Sequence, residues 1–171
     1  EVGSPFGGAI YVDVGTQQTN LGPFSVTISG AVQAPRFVLG QTTDSEWMGG
    51  IRELAAPYAE MESERAAISL PSKFVRQLSD PTAVMTFWDQ IVGLQDEVGA
   101  HGYLRSNAER INIDVQISVG LLHAGYPTQG PVTEAGSLMV LEQLLDHGSW
   151  GWFHELGHEA QRRPDKSWGW N

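Results

Sequence analysis

With 171 residues, and 10 Lys plus Arg against 20 Asp plus Glu, the chain carries a formal net charge of -10. That length allows one ordinary domain with a sizeable core, and 41% hydrophobic with 18% charged residues is a globular rather than a disordered composition. The acidity argues against nucleic acid and anionic lipid, and no apolar run approaches the roughly 20 residues of a membrane-spanning helix. Absent cysteine removes disulfides, thiol catalysis and cysteine-based metal sites. Residues 1–5 have neither a basic start nor an apolar stretch, so no signal peptide is read there. The missing initiator Met reads as a chain cut from something longer.

The first 40 residues read as β structure. Residues 9–14 and 24–28 are β-branched or aromatic runs with partial alternation, joined by a polar turn, and residues 36–39 make a third strand. The pattern turns irregular from Thr42, and residues 66–70 then form a short strand ending at Pro71. Pro71 suits the first turn of a short helix over residues 73–78. Asp80-Pro81, an N-cap residue with Pro at the first helical position, opens an amphipathic helix from 81 to about 99. Val84, Phe87, Trp88, Ile91 and Val98 share its apolar face.

Ile111, Ile113, Val115, Ile117 and Val119 alternate strictly with Asn112, Asp114, Gln116 and Ser118, which predicts a strand with one buried and one wet face. Such a strand is either an edge that aligns an extended peptide substrate or an interior strand. A Gly/Pro-rich loop (125–131) follows, then a helix over 134–145, a break at Gly148, and a last helix from near Trp150 that ends before Pro164. There are no internal repeats or linkers. The whole reads as a single domain, 1–171, with a β-rich part at about 1–70 and a helical part at 71–171.

The sharpest signal is His154-Glu155-Leu156-Gly157-His158, the H-E-x-x-H pattern. Residues four apart share one face of a helix, so both imidazoles can face a single ion. Zinc suits such a pair, because it accepts neutral imidazole and lowers the pKa of bound water towards about 7. Glu155 stands beside the ligands, placed to take a proton from metal-bound water that attacks a carbonyl, while the metal helps carry the oxyanion. With 5 His and 12 Glu, shuffling yields the pattern in about one chain in a hundred. A catalytic zinc takes three protein ligands, and the motif supplies two. Pro164 occupies the place of a third His six residues on; His123, His147, Glu134 and Asp165 are the other candidates within the chain, and a Glu some 20 residues on would fall beyond Asn171. The preferred reading is a chain that ends before its third ligand.

Several segments together resemble peptidase family M60, the enhancin-type metallopeptidases that include bacterial mucin-degrading enzymes. They are Gly7-Gly8-Ala9-Ile10-Tyr11, Ala34-Pro35-Arg36-Phe37, Ala56-Pro57-Tyr58-Ala59-Glu60, Leu70-Pro71-Ser72, His123-Ala124-Gly125-Tyr126-Pro127 and Gly151-Trp152-Phe153 leading into the motif. The resemblance implies an α+β, zincin-like (gluzincin) catalytic domain acting on O-glycosylated, mucin-type proteins. It implies zinc as cofactor, His154 and His158 as its ligands, Glu155 as general base, and a downstream Glu, absent from this chain, as third ligand. It further implies a secreted or cell-surface setting and accessory domains on a longer parent.

Weaker candidates surround this site. His123 and Tyr126 are candidate substrate-binding residues, placed to line the cleft and donate to the oxyanion; a plain turn is the equal alternative. Trp150, Trp152, Trp168 and Trp170 form a C-terminal cluster that suits a core better than a sugar platform. Arg162, Arg163 and Lys166 complement the carbonyl end of the last helix. Asp44, Glu60, Glu62 and Glu64 read as solvated charges. The expected function is a zinc metalloendopeptidase of mucin-type glycoproteins. The alternative is a non-catalytic glycoprotein-binding or regulatory module on the same fold, since the resemblance also reaches animal channel-associated factors. A structural zinc site ranks third, because Glu155 would then have no task.

Overall fold

Five strands form one mixed sheet in the order β1-β2-β3-β4-β5, in a computed structural model that describes residues 8–12, 22–99, 107–117 and 120–160. The strands are β1 (Arg36–Val38), β2 (Tyr58–Glu62), β3 (Ala66–Pro71), β4 (Glu109–Asp114) and β5 (Thr128–Pro131). Only β2 and β3 run antiparallel, closed by a tight loop in which the Ser63 hydroxyl accepts from the Ala66 N–H at 3.0 Å. The other neighbours are parallel and so need crossovers. Helix α1 (Asp44–Gly49) lies in the β1–β2 connection and α2 (Pro81–Val98) in the β3–β4 connection. Helices α3 (Gly136–Met139), α4 (Leu141–His147) and α5 (Trp150–Ala160) follow the sheet.

The period-2 alternation sorts the sheet into two faces. Phe37, Met61, Ile68, Leu70, Ile111 and Ile113 point one way and are fully buried against Val84, Met85, Trp88 and Val92 of α2. Register sets Arg36, Glu60, Ser69, Asn112 and Gln129 side by side in one polar row on the other face. Each buried indole has its N–H satisfied: Trp47 donates to the Leu78 carbonyl (2.9 Å), Trp88 to the Leu138 carbonyl (2.8 Å) and Trp152 to the Ser137 hydroxyl (2.9 Å).

The strands at 36–39 and 66–70 and the helix from Pro81 are where the sequence places them, with the Asp80 carboxylate accepting from the Ala83 N–H at 2.8 Å as N-cap. Elsewhere the structure corrects the reading. Residues 24–28 form no strand: Phe24, Val26 and Ile28 are each more than half exposed, and among the described residues no strand pairs with them, so high β-propensity alone makes no ladder. Residues 8–12 form no strand either, while 13–21 lie outside the described residues. The segment read as irregular from Thr42 contains α1 and β2. The helix expected over 73–78 is only a 3-10 turn at Ser72–Phe74 with further turns behind it.

Val98, in the last turn of α2, is 88% exposed and has no part in the apolar face. The alternating strand ends at Asp114, where the Asp114 carboxylate takes the Gln116 N–H (2.8 Å) and turns the chain. Strand β4 is interior, paired to β3 and β5, and so is closed to β-augmentation. The helix expected over 134–145 breaks at Val140. Beside the break, the Leu138 carbonyl accepts from the Trp88 indole N–H at 2.8 Å, which anchors the end of α3 to α2.

Candidate metal centre

Helix α5 carries the motif, and its own apolar residues orient it. Gly148, at φ 69°, ends α4 in a conformation that favours glycine, and the Ser149 carbonyl accepts the first bond of α5 from Phe153 N–H at 3.0 Å. Trp152, Leu156 and Ala160 recur every four residues and are all buried. That stripe turns His154 and His158, two residues out of phase with it, towards the open side. Two contacts fix the helix: Gln95 of α2 donates to the Phe153 carbonyl at 2.8 Å, and the Phe153 ring packs edge-on to Trp88 at 5.9 Å.

His154 is exposed and His158 half-buried, and their Nε2 atoms lie 3.0 Å apart with the rings nearly perpendicular. In the neutral pair one Nε2–H faces the other lone pair. Two nitrogens each about 2.0–2.1 Å from a tetrahedral zinc would sit about 3.3 Å apart, so this donor pair fits one ion with a small adjustment. Glu155 is half-buried one residue along from the pair. Trp150, one turn before His154, stacks on its imidazole with ring centroids 4.9 Å apart and planes at 24°. The sequence reading grouped Trp150 with other tryptophans and missed this contact, although the spacing 150, 154, 158 was its signal. Trp168, Trp170, Arg162, Arg163, Lys166 and the expected end of α5 lie outside the described residues.

Among the described residues, no third His, Cys, Asp or Glu joins the pair. Glu134 ends a 3-10 turn, where its backbone carbonyl accepts from the Ser137 hydroxyl at 2.7 Å. His147 is exposed in the last turn of α4, its Nδ1 3.3 Å from Asp146. Asp165 lies outside the described residues. His123 pairs through its backbone with Gln129 of β5, both bonds 2.9 Å, and lines a cavity of about 600 Å³ on the polar face of the sheet with Tyr58, Ser69, Asn112 and Asp114. No residue of α5 lines that cavity. The exposed Tyr126 hydroxyl donates to the Ala108 carbonyl at 3.2 Å.

The charges read as solvated are largely engaged. Glu60 is buried on the polar face, accepting from Arg110 at 2.6 Å and from the Tyr11 hydroxyl at 2.7 Å, with the Ser69 hydroxyl also bonded to it. Burial, reinforced by Glu60 and opposed by Ser69, holds the Tyr11 phenol above its ordinary range. Glu62 takes a two-pronged contact from Arg36 at 2.6 and 2.8 Å, and Asp44 ties α1 to the start of α2 by accepting from the Thr82 N–H and hydroxyl. These positions fall in or beside elements that the sequence reading missed, which is why their alternation was not seen.

A mixed sheet backed by helices, with an H-E-x-x-H helix presenting two convergent imidazoles, defines the α+β, zincin-like class of fold. The family model for peptidase M60, enhancin and enhancin-like, matches residues 30–171, and the chain belongs to that family. A curated relative, TRPM8 channel-associated factor 3 of Mus musculus, is 36% identical over 157 residues, covering 92% of this chain. The chain spans 17% of that relative's length. Among solved structures, a conserved protein of Bacillus anthracis shares the fold at TM-score 0.67, with 22% identity over 76% of this chain and 29% of that one. The catalytic module of the metalloprotease ZmpA from Clostridium perfringens gives 0.64, with 15% identity over 78% and 30%. A metallopeptidase in complex with Tn antigen gives 0.62, with 20% identity over 74% and 25%.

Proposed function

We propose that the protein is a zinc metalloendopeptidase that hydrolyses peptide bonds of O-glycosylated, mucin-type glycoproteins. The observation that carries the reading is the approach of the His154 and His158 Nε2 atoms to 3.0 Å on the open face of α5. Membership of the M60 family supports the peptidase chemistry, and the likeness in fold to a metallopeptidase complexed with Tn antigen agrees with a glycosylated substrate. His154 and His158 would hold the ion, with a third ligand supplied from outside the described residues. Zinc bound there would supply Lewis acidity, lowering the pKa of a water and polarising the scissile carbonyl. The Glu155 carboxylate takes the proton of the attacking water, holds it while the carbon–nitrogen bond breaks, and delivers it to the leaving amine. His123 and Tyr126 remain proposed contacts to substrate. The chain is one catalytic domain of a longer parent with accessory domains, acting outside the cell or at its surface.

Replacing Glu155 with Ala should leave zinc content unchanged while hydrolysis of a mucin-type glycopeptide falls by several orders of magnitude. Undiminished cleavage would refute the mechanism. A second reading draws on the channel-associated factors among the relatives and on the pair of ligands without a third among the described residues. In it the domain is a non-catalytic module that binds glycoprotein. Tight binding of glycopeptide by the full-length wild-type protein, with no product released, selects that reading.

A further inference from the structure

We infer that Trp150 is a positioning residue for the metal, its indole face setting the direction of the His154 imidazole where a hydrogen bond ordinarily does so. The inference rests on the metal-centre reading and deepens it. A histidine ligand usually donates its second ring N–H to a carboxylate, a carbonyl or water, which fixes the tautomer and the ring plane. Among the described residues, the one hydrogen bond to the His154 ring is that with His158 Nε2 at 3.0 Å, on the side that would face the ion. The other support is aromatic. Trp150 stands four residues before His154 and covers its ring nearly parallel, at 4.9 Å and 24°. His158, four residues after, meets the same ring edge-on at 4.6 Å and 85°.

The torsion that turns an imidazole about its Cβ–Cγ bond has a broad, shallow potential, so an exposed histidine on a helix sweeps a wide arc. A flat indole against one face removes most of that arc and leaves Nε2 aimed at His158. Trp150 is itself 76% exposed while its neighbour Trp152 is buried, so burial in the core does not account for an indole at this position. Among the described residues, the ring that the indole stacks on is that of His154.

The test uses Trp150→Ala, Trp150→Leu and Trp150→Phe in the full protein, with zinc affinity measured by competition against a chromophoric chelator. Loss of an outer partner of a ligand typically weakens metal binding 10–100-fold, and the lower end is expected here because stacking is weaker than a charged hydrogen bond. Kd should therefore rise about tenfold with Ala and with Leu, and return to within about threefold of wild type with Phe. A second readout needs no metal. In the zinc-free protein the His154 ring proton signals should be shifted upfield by the indole, with the shift lost in Ala and Leu and partly kept in Phe. Equal zinc affinity of wild type and Trp150→Ala overturns the inference, as does Leu rescuing as well as Phe. A wild-type protein that shows the ring shift but binds no zinc refutes the metal-centre reading instead.

Discussion

The Thr43 hydroxyl accepts from the Glu46 N–H at 3.2 Å, while the Glu46 carboxylate accepts from the Thr43 N–H at 2.9 Å and from its hydroxyl at 2.8 Å. This reciprocal box starts α1 and satisfies two donors that a helix end leaves open. The backbone bond first, and the hydroxyl second, hold the Glu46 carboxyl below the ordinary carboxylate range. A depressed acid stabilises the fold above its unfolded value of about 4.3, and that contribution is lost as pH falls through the lower folded value. Thr43→Ala should cost about 1 kcal/mol in urea denaturation. It should also raise the Glu46 titration midpoint, followed by NMR, only part of the way, because the Thr43 N–H stays. An unchanged midpoint would show that the hydroxyl contributes nothing. The sequence holds this box in plain view as Thr43-x-x-Glu46, yet six helical residues between irregular stretches show too little periodicity to announce a helix.

At the scale of elements, the placement of the His154 and His158 face of α5 depends on how closely that helix approaches β5. A side chain begun at Gly130 would place its Cβ 2.5 Å from the Trp152 ring and 2.7 Å from Leu122. Trp152 can retreat little, because its indole N–H is bonded to Ser137 and its ring is fully buried. Gly130→Val should therefore destabilise the protein by about 1–3 kcal/mol and lower its Tm. Because α5 would have to shift, zinc affinity should fall as well. Normal stability together with normal affinity would mean that helix and strand are not tightly coupled. The break between α3 and α4 belongs to the same scale: Val140 carries no signal of a break, and the indole that bonds the Leu138 carbonyl beside it comes from fifty residues earlier.

Across the whole molecule, one sheet separates an apolar core from a polar face, and the charges of that face matter because they are covered. Glu60 is 7% exposed, and Arg110 is its cationic partner at 2.6 Å. Removing the cation strands a buried carboxylate, whereas removing both charges leaves none to compensate. Arg110→Leu should cost about 3 kcal/mol, measured by urea denaturation, and the double variant Glu60→Leu/Arg110→Leu should recover most of it. Equal losses in the single and double variants would show that the pair is better solvated than its burial implies.

Local pattern alone determined the elements whose signals are self-contained. Asp80-Pro81 announces α2, the alternation at Ile111 and Ile113 announces β4, and His154-x-x-x-His158 puts two imidazoles on one helix face, because helical and strand periods are fixed by backbone geometry. Tertiary structure decided what depends on a partner distant in the chain. Residues 24–28 have the propensity of a strand and no pairing strand among the described residues, while the polar-looking Tyr58–Glu62 becomes a strand because β1 and β3 flank it. Strand β4 is interior, and not an edge open to substrate, because β3 and β5 take both of its hydrogen-bonding sides. Glu60 is buried because Arg110 and Tyr11 meet it from 50 and 49 residues away. Backbone hydrogen bonds and buried charges need complements, and the sequence does not say where folding will bring them.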